Sequence, residues 1–138
     1  MRWTPDRART AFTEHRVARL STVSAEGQPH CVPVTFAVDG DIAVTAIDHK
    51  PKSTMSLKRL ANIEQNPNVC LLADEYSDDW SHLWWARADG SAQVAFDGEQ
   101  REHALGLLAA RYAQYSDRRP EGPVILIRVI RWSGWSFR

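Results

Sequence analysis

Val17-Ala-Arg-Leu-Ser-Thr-Val-Ser24, Ala25-Glu-Gly-Gln-Pro29 and Cys31-Val-Pro-Val-Thr-Phe-Ala-Val38 begin the stretch that decides the fold. It runs on through Asp39-Gly40-Asp41 and Ile42-Ala-Val-Thr-Ala-Ile47 to Asp48-His-Lys-Pro-Lys-Ser53. This order predicts strands over 17–24, 29–38 and 42–47. A turn containing Gly27 joins the first two, and Asp39-Gly40 between alternating apolar residues is a hairpin signal. Lys50 and Lys52 follow the third strand and stand directly before a helix that Ser53 can cap. Two cations at a strand-to-helix junction suit an anion, because a helix start offers free N–H groups and the positive end of its dipole. The competing reading of these lysines is a solvated loop that starts a helix; the preceding strand order favours the phosphate site.

The remaining elements follow outward from this meander. Thr4-Pro5-Asp6 opens a helix to about residue 16, with Thr4 as N-cap and Pro5 at the first helical position. Ala8, Ala11, Phe12 and His15 share its inner face. Leu57, Leu60 and Ala61 recur at helical spacing over 54–65, and Asn66-Pro67 stops that helix. Val69–Ala73 is a fourth strand, and a polar loop follows to Asp79. Trp80 to Val94 holds one straight or bent strand, with Asp89-Gly90 as a turn or bulge. Asp97-Gly98-Glu99-Gln100 is related to a capping box and opens a helix to about Tyr112. Residues 116–123 form a loop. The closing strand, 124–137, is continuously apolar in its first half, which predicts a central position covered on both faces, and alternates in its second.

The chain has 138 residues, enough for one domain over 1–138 with its own core. About six antiparallel strands with two or three helices at the edges predict a mainly β architecture with peripheral helices, a small split β-barrel whose closure hides strand edges. The formal net charge of +0 gives no overall attraction to nucleic acid or anionic membrane. No apolar run approaches the roughly 20 residues of a spanning helix, and the N-terminus has no signal-peptide core. Cys31 and Cys70 both fall in apolar strands, so buried free thiols are expected rather than a disulfide, which fits a cytoplasmic protein.

Trp84-Trp85-Ala86-Arg87 could wall a flat ring, with Arg87 at its polar edge, or could be a core tryptophan beside a surface arginine. Neighbours on a strand face opposite ways, so only one of the two tryptophans can face a given pocket. Trp132 and Trp135 likewise fall on opposite faces. His15, His30, His49, His82 and His103 lack metal-ligand spacing, so no metal is expected. Glycine-rich nucleotide loops and the nucleophile elbow are absent from the sequence, so no nucleophile–base pair can be named. Asp78-Asp79 reads as a solvated turn.

The strand set from Arg19 to Phe36, the Lys50-Pro-Lys-Ser53 junction and Asn66-Pro-Asn-Val69 resemble the split-barrel flavin and deazaflavin oxidoreductases of the pyridoxamine 5'-phosphate oxidase type. The run Asp78-Asp-Trp-Ser-His-Leu-Trp-Trp-Ala-Arg-Ala-Asp-Gly90 resembles a coenzyme F-420-dependent subgroup. The resemblance spans nearly the whole chain. It implies a homodimer with a cofactor in grooves between subunits and a small-molecule substrate. Lys50, Lys52 and Ser53 would meet the cofactor phosphate. The backbone of Val32, Pro33, Val34 and Thr35 would lie against the ring system. Ala46 and Ile47 would flank the ring or its side chain, and Trp85, Arg87 and Trp135 would reach the site from the second subunit. The C-terminal Trp135-Ser-Phe-Arg138 is shorter than the basic tail of vitamin B6 oxidases, which argues against that substrate.

What the resemblance implies chemically is hydride transfer from reduced coenzyme F-420 to a small electrophile, with position and electrostatics supplied by the protein. An FMN-dependent oxidase or reductase, or a non-catalytic cofactor-binding protein, is the alternative. Both cofactors carry a phosphate and a flat tricyclic ring, so the two lysines do not separate them.

Overall fold

The computed structural model describes residues 1–47 and 54–138, without the side chains of residues 54–57. Helix α1 spans Pro5–Glu14, and strands β1 to β4 span Ala18–Val23, Pro29–Val34, Ala37–Asp39 and Ile42–Ala46. Helix α2 (Thr54–Gln65) precedes β5 (Asn68–Glu75), a 3-10 turn over Trp80–His82 and β6 (Trp84–Ala95). Helices α3 (Glu99–Arg111) and α4 (Ala113–Asp117) lead to β7 (Val124–Ser136). The seven strands form one antiparallel sheet in the order β2-β1-β5-β6-β7-β4-β3. Its two edge strands, β2 and β3, are consecutive in the chain and joined only by Thr35-Phe36. The sheet therefore curls until its edges meet, giving a split barrel with helices at the periphery.

That closure corrects the expected single strand over 29–38. The chain leaves one sheet edge at Val34 and enters the other at Ala37. Thr45 Oγ1 donates to the Thr35 carbonyl at 2.7 Å and ties the two sides together. The Tyr112 hydroxyl, delivered by the end of α3, accepts from Phe36 N–H at 3.2 Å. It also lies 2.8 Å from the Arg16 carbonyl and 3.0 Å from that of Phe36. Tyr112→Phe leaves the Phe36 amide buried without its partner. We expect a loss of about 1.5 kcal/mol in urea unfolding, with no change in secondary structure.

Thr4 caps α1, its hydroxyl accepting from Arg7 N–H at 3.2 Å, as the sequence predicts. The helix drives Ala8 and Phe12 into the barrel. Phe12 is fully buried, 4.7 Å from the Phe36 ring centroid and 5.4 Å from that of Trp132. α1 also meets β7, where Trp3 N–H donates to the Gly134 carbonyl at 2.9 Å. A Cβ on Gly134 would stand 2.7 Å from Trp3 Cε3, so only glycine permits this approach.

A second apolar cluster lies outside the barrel, where Leu105, Leu108 and Tyr112 cover Ala37, Val44, Ala46 and Val124. Val124 faces this cluster while Ile125 faces the barrel interior, so the apolar first half of β7 is covered on both sides. The register shifts at Asp89/Gly90, but the extra residue is Ile130 of β7 and not one of that dipeptide. Two smaller expectations are corrected. Gly98, at φ 92°, caps α3 without any side-chain bond, so no capping box forms. The loop expected from residue 116 begins with the end of α4.

Candidate functional site

Alternation along β1, β2, β5, the first half of β6 and the second half of β7 builds an outer sheet face that none of the buried clusters of the described helices covers; α3 covers only the other ends of β6 and β7. Directly opposed residues share a face. Register therefore sets Pro33, Arg19, Leu72, Arg87 and Ser133 in one row across five strands. The neighbouring row pairs Trp135 with Trp85 and Trp85 with Asp74. Trp85, Trp135 and Arg87 are half-buried already within a single chain. The Arg87 guanidinium stands 5.6 Å from the Trp85 ring centroid, and its Nε lies 3.0 Å from Asp89 Oδ2. Arg19 pairs with Asp74 at 2.6 Å on the same face. Trp84 faces the other way and stacks on Trp3, with centroids 5.7 Å apart. The two adjacent tryptophans thus divide as the alternation requires.

Ser133 Oγ is buried beside this cluster and has no hydrogen-bond partner among the described residues. Its position opposite Arg87 gives a polar ligand edge a hydroxyl and a guanidinium together. Period-two counting back from Trp135 places Ser133 on this face, a weaker sequence signal than the tryptophans. Asp89, read from sequence only as part of a bulge, also orients Arg87.

The other predicted residues gather at the barrel closure. Val32 and Val34 point inward, and Pro33 points outward. Among the described residues β2 pairs only with β1, so its free edge leaves carbonyls for a ligand, with Cys31 as the N–H donor because Pro29 and Pro33 have none. Thr35 Oγ1 and Tyr115 Oη are 2.8 Å apart. Ala46 and Ile47 are buried, and Ile47 N–H donates to the Pro123 carbonyl at 3.1 Å. The Thr45–Thr35 bond brings the ends of β2 and β4 together. Lys50, Lys52 and Ser53 lie outside the described residues. Pro33 and Arg87 share a row but are three strand spacings apart, about 14 Å. Within one chain the closure residues and the Trp85–Arg87–Trp135 cluster are therefore two separate groups.

The cysteines require a correction. Both are free, but Cys31 is exposed and Cys70 only half-buried. They stand on either side of Ser21 in one row of the outer face. Their apolar neighbours Val32 and Leu71 occupy the inward positions. Burial, foremost, pushes the Cys70 thiol pKa up.

His30 points inward, and both of its ring nitrogens are buried without a partner among the described residues. Burial, then the charges of Lys58 and Arg59, hold its pKa below the usual 6.5. The folded chain resists protonation that the unfolded chain accepts, so stability is lost as pH falls through the unfolded value. We expect the urea midpoint to decline from about pH 7 to about pH 5.5, and His30→Gln to flatten that decline. A pH profile identical in the two proteins would contradict this.

Among the described residues no three His, Cys, Asp or Glu side chains group so as to hold a metal ion. No described helix is long and apolar enough to cross a membrane.

No curated protein matches the chain significantly in sequence. Its fold is shared with a conserved hypothetical protein from Mycobacterium tuberculosis, at TM-score 0.76 and 18% identity over 99% of this chain and 86% of the other. A FAD-binding protein from Mesorhizobium loti superposes at TM-score 0.72 and 20% identity, covering 97% and 95% of the two chains. The heme storage protein of Vibrio cholerae superposes at 0.71 and 17%, covering 99% and 95%. The family model described as pyridoxamine 5'-phosphate oxidase matches residues 4–136. Because that match spans nearly all of it, the chain belongs to the pyridoxamine 5'-phosphate oxidase family.

Proposed function

We propose that this protein is an oxidoreductase that uses the deazaflavin coenzyme F-420 to transfer hydride to or from a small electrophilic substrate in the cytoplasm. The observation that carries the reading is family membership over residues 4–136, joined to the subgroup-like run from Asp78 to Gly90. The structural likeness to a FAD-binding protein supports a flavin-type cofactor more generally.

The residues present fit such a group. A flat, partly polar ring needs an apolar wall, hydrogen bonds along one edge and a cation for its phosphate. The free edge of β2 supplies backbone groups, Trp85 and Trp135 supply aromatic surface, and Ser133 Oγ is a buried hydroxyl in want of a partner. Lys50, Lys52 and Ser53 would hold the phosphate, and Ala46 and Ile47 would bound the ring. When bound, the deazaflavin supplies the hydride chemistry. The protein holds the ring at one face, leaves the other to substrate and excludes water from between them. Because Pro33 and Arg87 are about 14 Å apart in one chain, a single ring can meet both groups only if Trp85, Arg87 and Trp135 come from a second copy. A homodimer pairing outer sheet faces meets that requirement and covers Cys31 and the half-buried tryptophans.

The test is turnover. Reduced F-420 is mixed with the protein and a panel of quinones, enones and nitroaromatics, and its reoxidation is followed optically. Protein-dependent reoxidation with at least one substrate is expected. Tight binding without turnover of any substrate would favour a cofactor-binding role, a reading to which the likeness to a heme storage protein also points. Oxygen-linked turnover with FMN alone would favour an FMN enzyme.

A further inference from the structure

A cleft lies away from the residues assigned to the proposed cofactor. It opens between α3 and the outer face of β4, β7 and the second half of β6, with a volume of about 540 Å³. That is within the range of small-molecule sites, roughly 300–1,000 Å³. Ile42 and Ala46 mark opposite ends of β4, about 13 Å apart. Between them Leu105 and Leu108 of α3 fill the space over Val44, so the cleft does not continue to the barrel closure.

The chemistry of the walls is specific. The floor is apolar, from Ile42, Val44, Leu107 and Leu126. Ile42 is 37% exposed although it stands in a strand, because no described residue covers it. The rim is charged, and its charges are unequally matched. Asp39 Oδ2 lies 3.0 Å from His103 Nε2, so that carboxylate already has a partner. Gln93 Nε2 donates to Gln100 Oε1 at 3.0 Å, which fixes the two amides against each other. Glu99 stands in the first turn of α3, where free N–H groups and the helix dipole favour negative charge. Among the described residues Glu99 and Arg128 both lack a side-chain partner, and Arg128 is the one guanidinium on the rim. It lies between Ile42 and Ser91 in register, and its guanidinium has neither a hydrogen bond nor an ion pair among the described residues.

We infer that this cleft binds a small carboxylic acid with an apolar body, its carboxylate forked on Arg128 and its body on Ile42, Leu107 and Leu126. A planar guanidinium presents two parallel donors that match a carboxylate, and the apolar floor below it gains by being covered. The inference does not rest on the proposed cofactor or on the dimer, since it uses none of the residues assigned to either.

The experiment is an NMR titration of the ¹⁵N-labelled full chain, without cofactor, using 3-phenylpropionate and its neutral amide as paired probes. The expected result is amide shift changes in β7 around Leu126–Arg128 and in α3 around His103–Leu107, with the acid binding at least about tenfold more tightly than the amide. Arg128→Gln should bring the two probes to equal affinity. Arg128 is exposed, so this variant should keep the wild-type spectrum elsewhere. Equal binding of acid and amide to the wild-type protein would overturn the assignment. So would shifts confined to Trp85, Arg87 and Ser133, or an acid preference that survives in Arg128→Gln.

Discussion

Lys50→Ala combined with Lys52→Ala is expected to raise the cofactor dissociation constant at least about 100-fold while leaving the unfolding midpoint unchanged. The size follows from the contacts at stake. A hydrogen bond from an ammonium to a phosphate contributes roughly 1.5–3 kcal/mol, so two removed together cost about 3 kcal/mol or more. Each factor of ten in affinity is about 1.4 kcal/mol. The position supports the expectation: β4 ends at Ala46 beside the barrel closure, and α2 begins at Thr54, so the lysines are in the chain segment between a strand end and a helix start. Wild-type affinity should also weaken with added salt, and that dependence should diminish in the double variant. The measurement is a titration of both proteins at two salt concentrations. Equal affinities would remove the phosphate site from the account.

Phe12→Ala carries the largest expected cost in stability, about 4 kcal/mol. Phe12 is fully buried, and its ring is enclosed by Phe36 from the barrel closure and Trp132 from β7. The hole left behind lies between a helix and two strands that are pinned by other contacts, among them Trp3 on Gly134 and Tyr112 on Phe36. Collapse into it is therefore limited, and the cavity adds to the lost transfer free energy. The check is urea unfolding followed by circular dichroism. Phe12→Leu, which refills much of the volume, should recover more than half of the loss. A cost below about 1 kcal/mol would mean that α1 does not close the barrel as described.

Much of this architecture is visible in the sequence because it rests on local chemistry. Thr4-Pro5 caps α1, Asp39-Gly40 makes the β3–β4 turn with Gly40 at φ 62°, and Asn66-Pro67 ends α2. The alternation that separates Trp84 from Trp85 also survives intact in β6. What sequence does not announce is long-range. Nothing in Val34-Thr-Phe-Ala37 marks the break between β2 and β3, since its cause is the hydroxyl of Thr45 and the arrival of Tyr112 from α3. Cys31 reads as buried among valines, yet it occupies the outer position of an edge strand. The predicted site divides in the same way. The row containing Arg87 follows from period two and could have included Ser133. The cleft under α3 joins Ile42, Leu107 and Arg128, which only the packing of three distant elements brings together.

The most direct test of the central claim is a side-by-side titration of the purified protein with coenzyme F-420 and with FMN, followed by quenching of its six tryptophans. Micromolar binding of the deazaflavin is expected, at least about tenfold tighter than that of FMN, with one cofactor per chain. Tighter binding of FMN, or binding of neither, would contradict that claim.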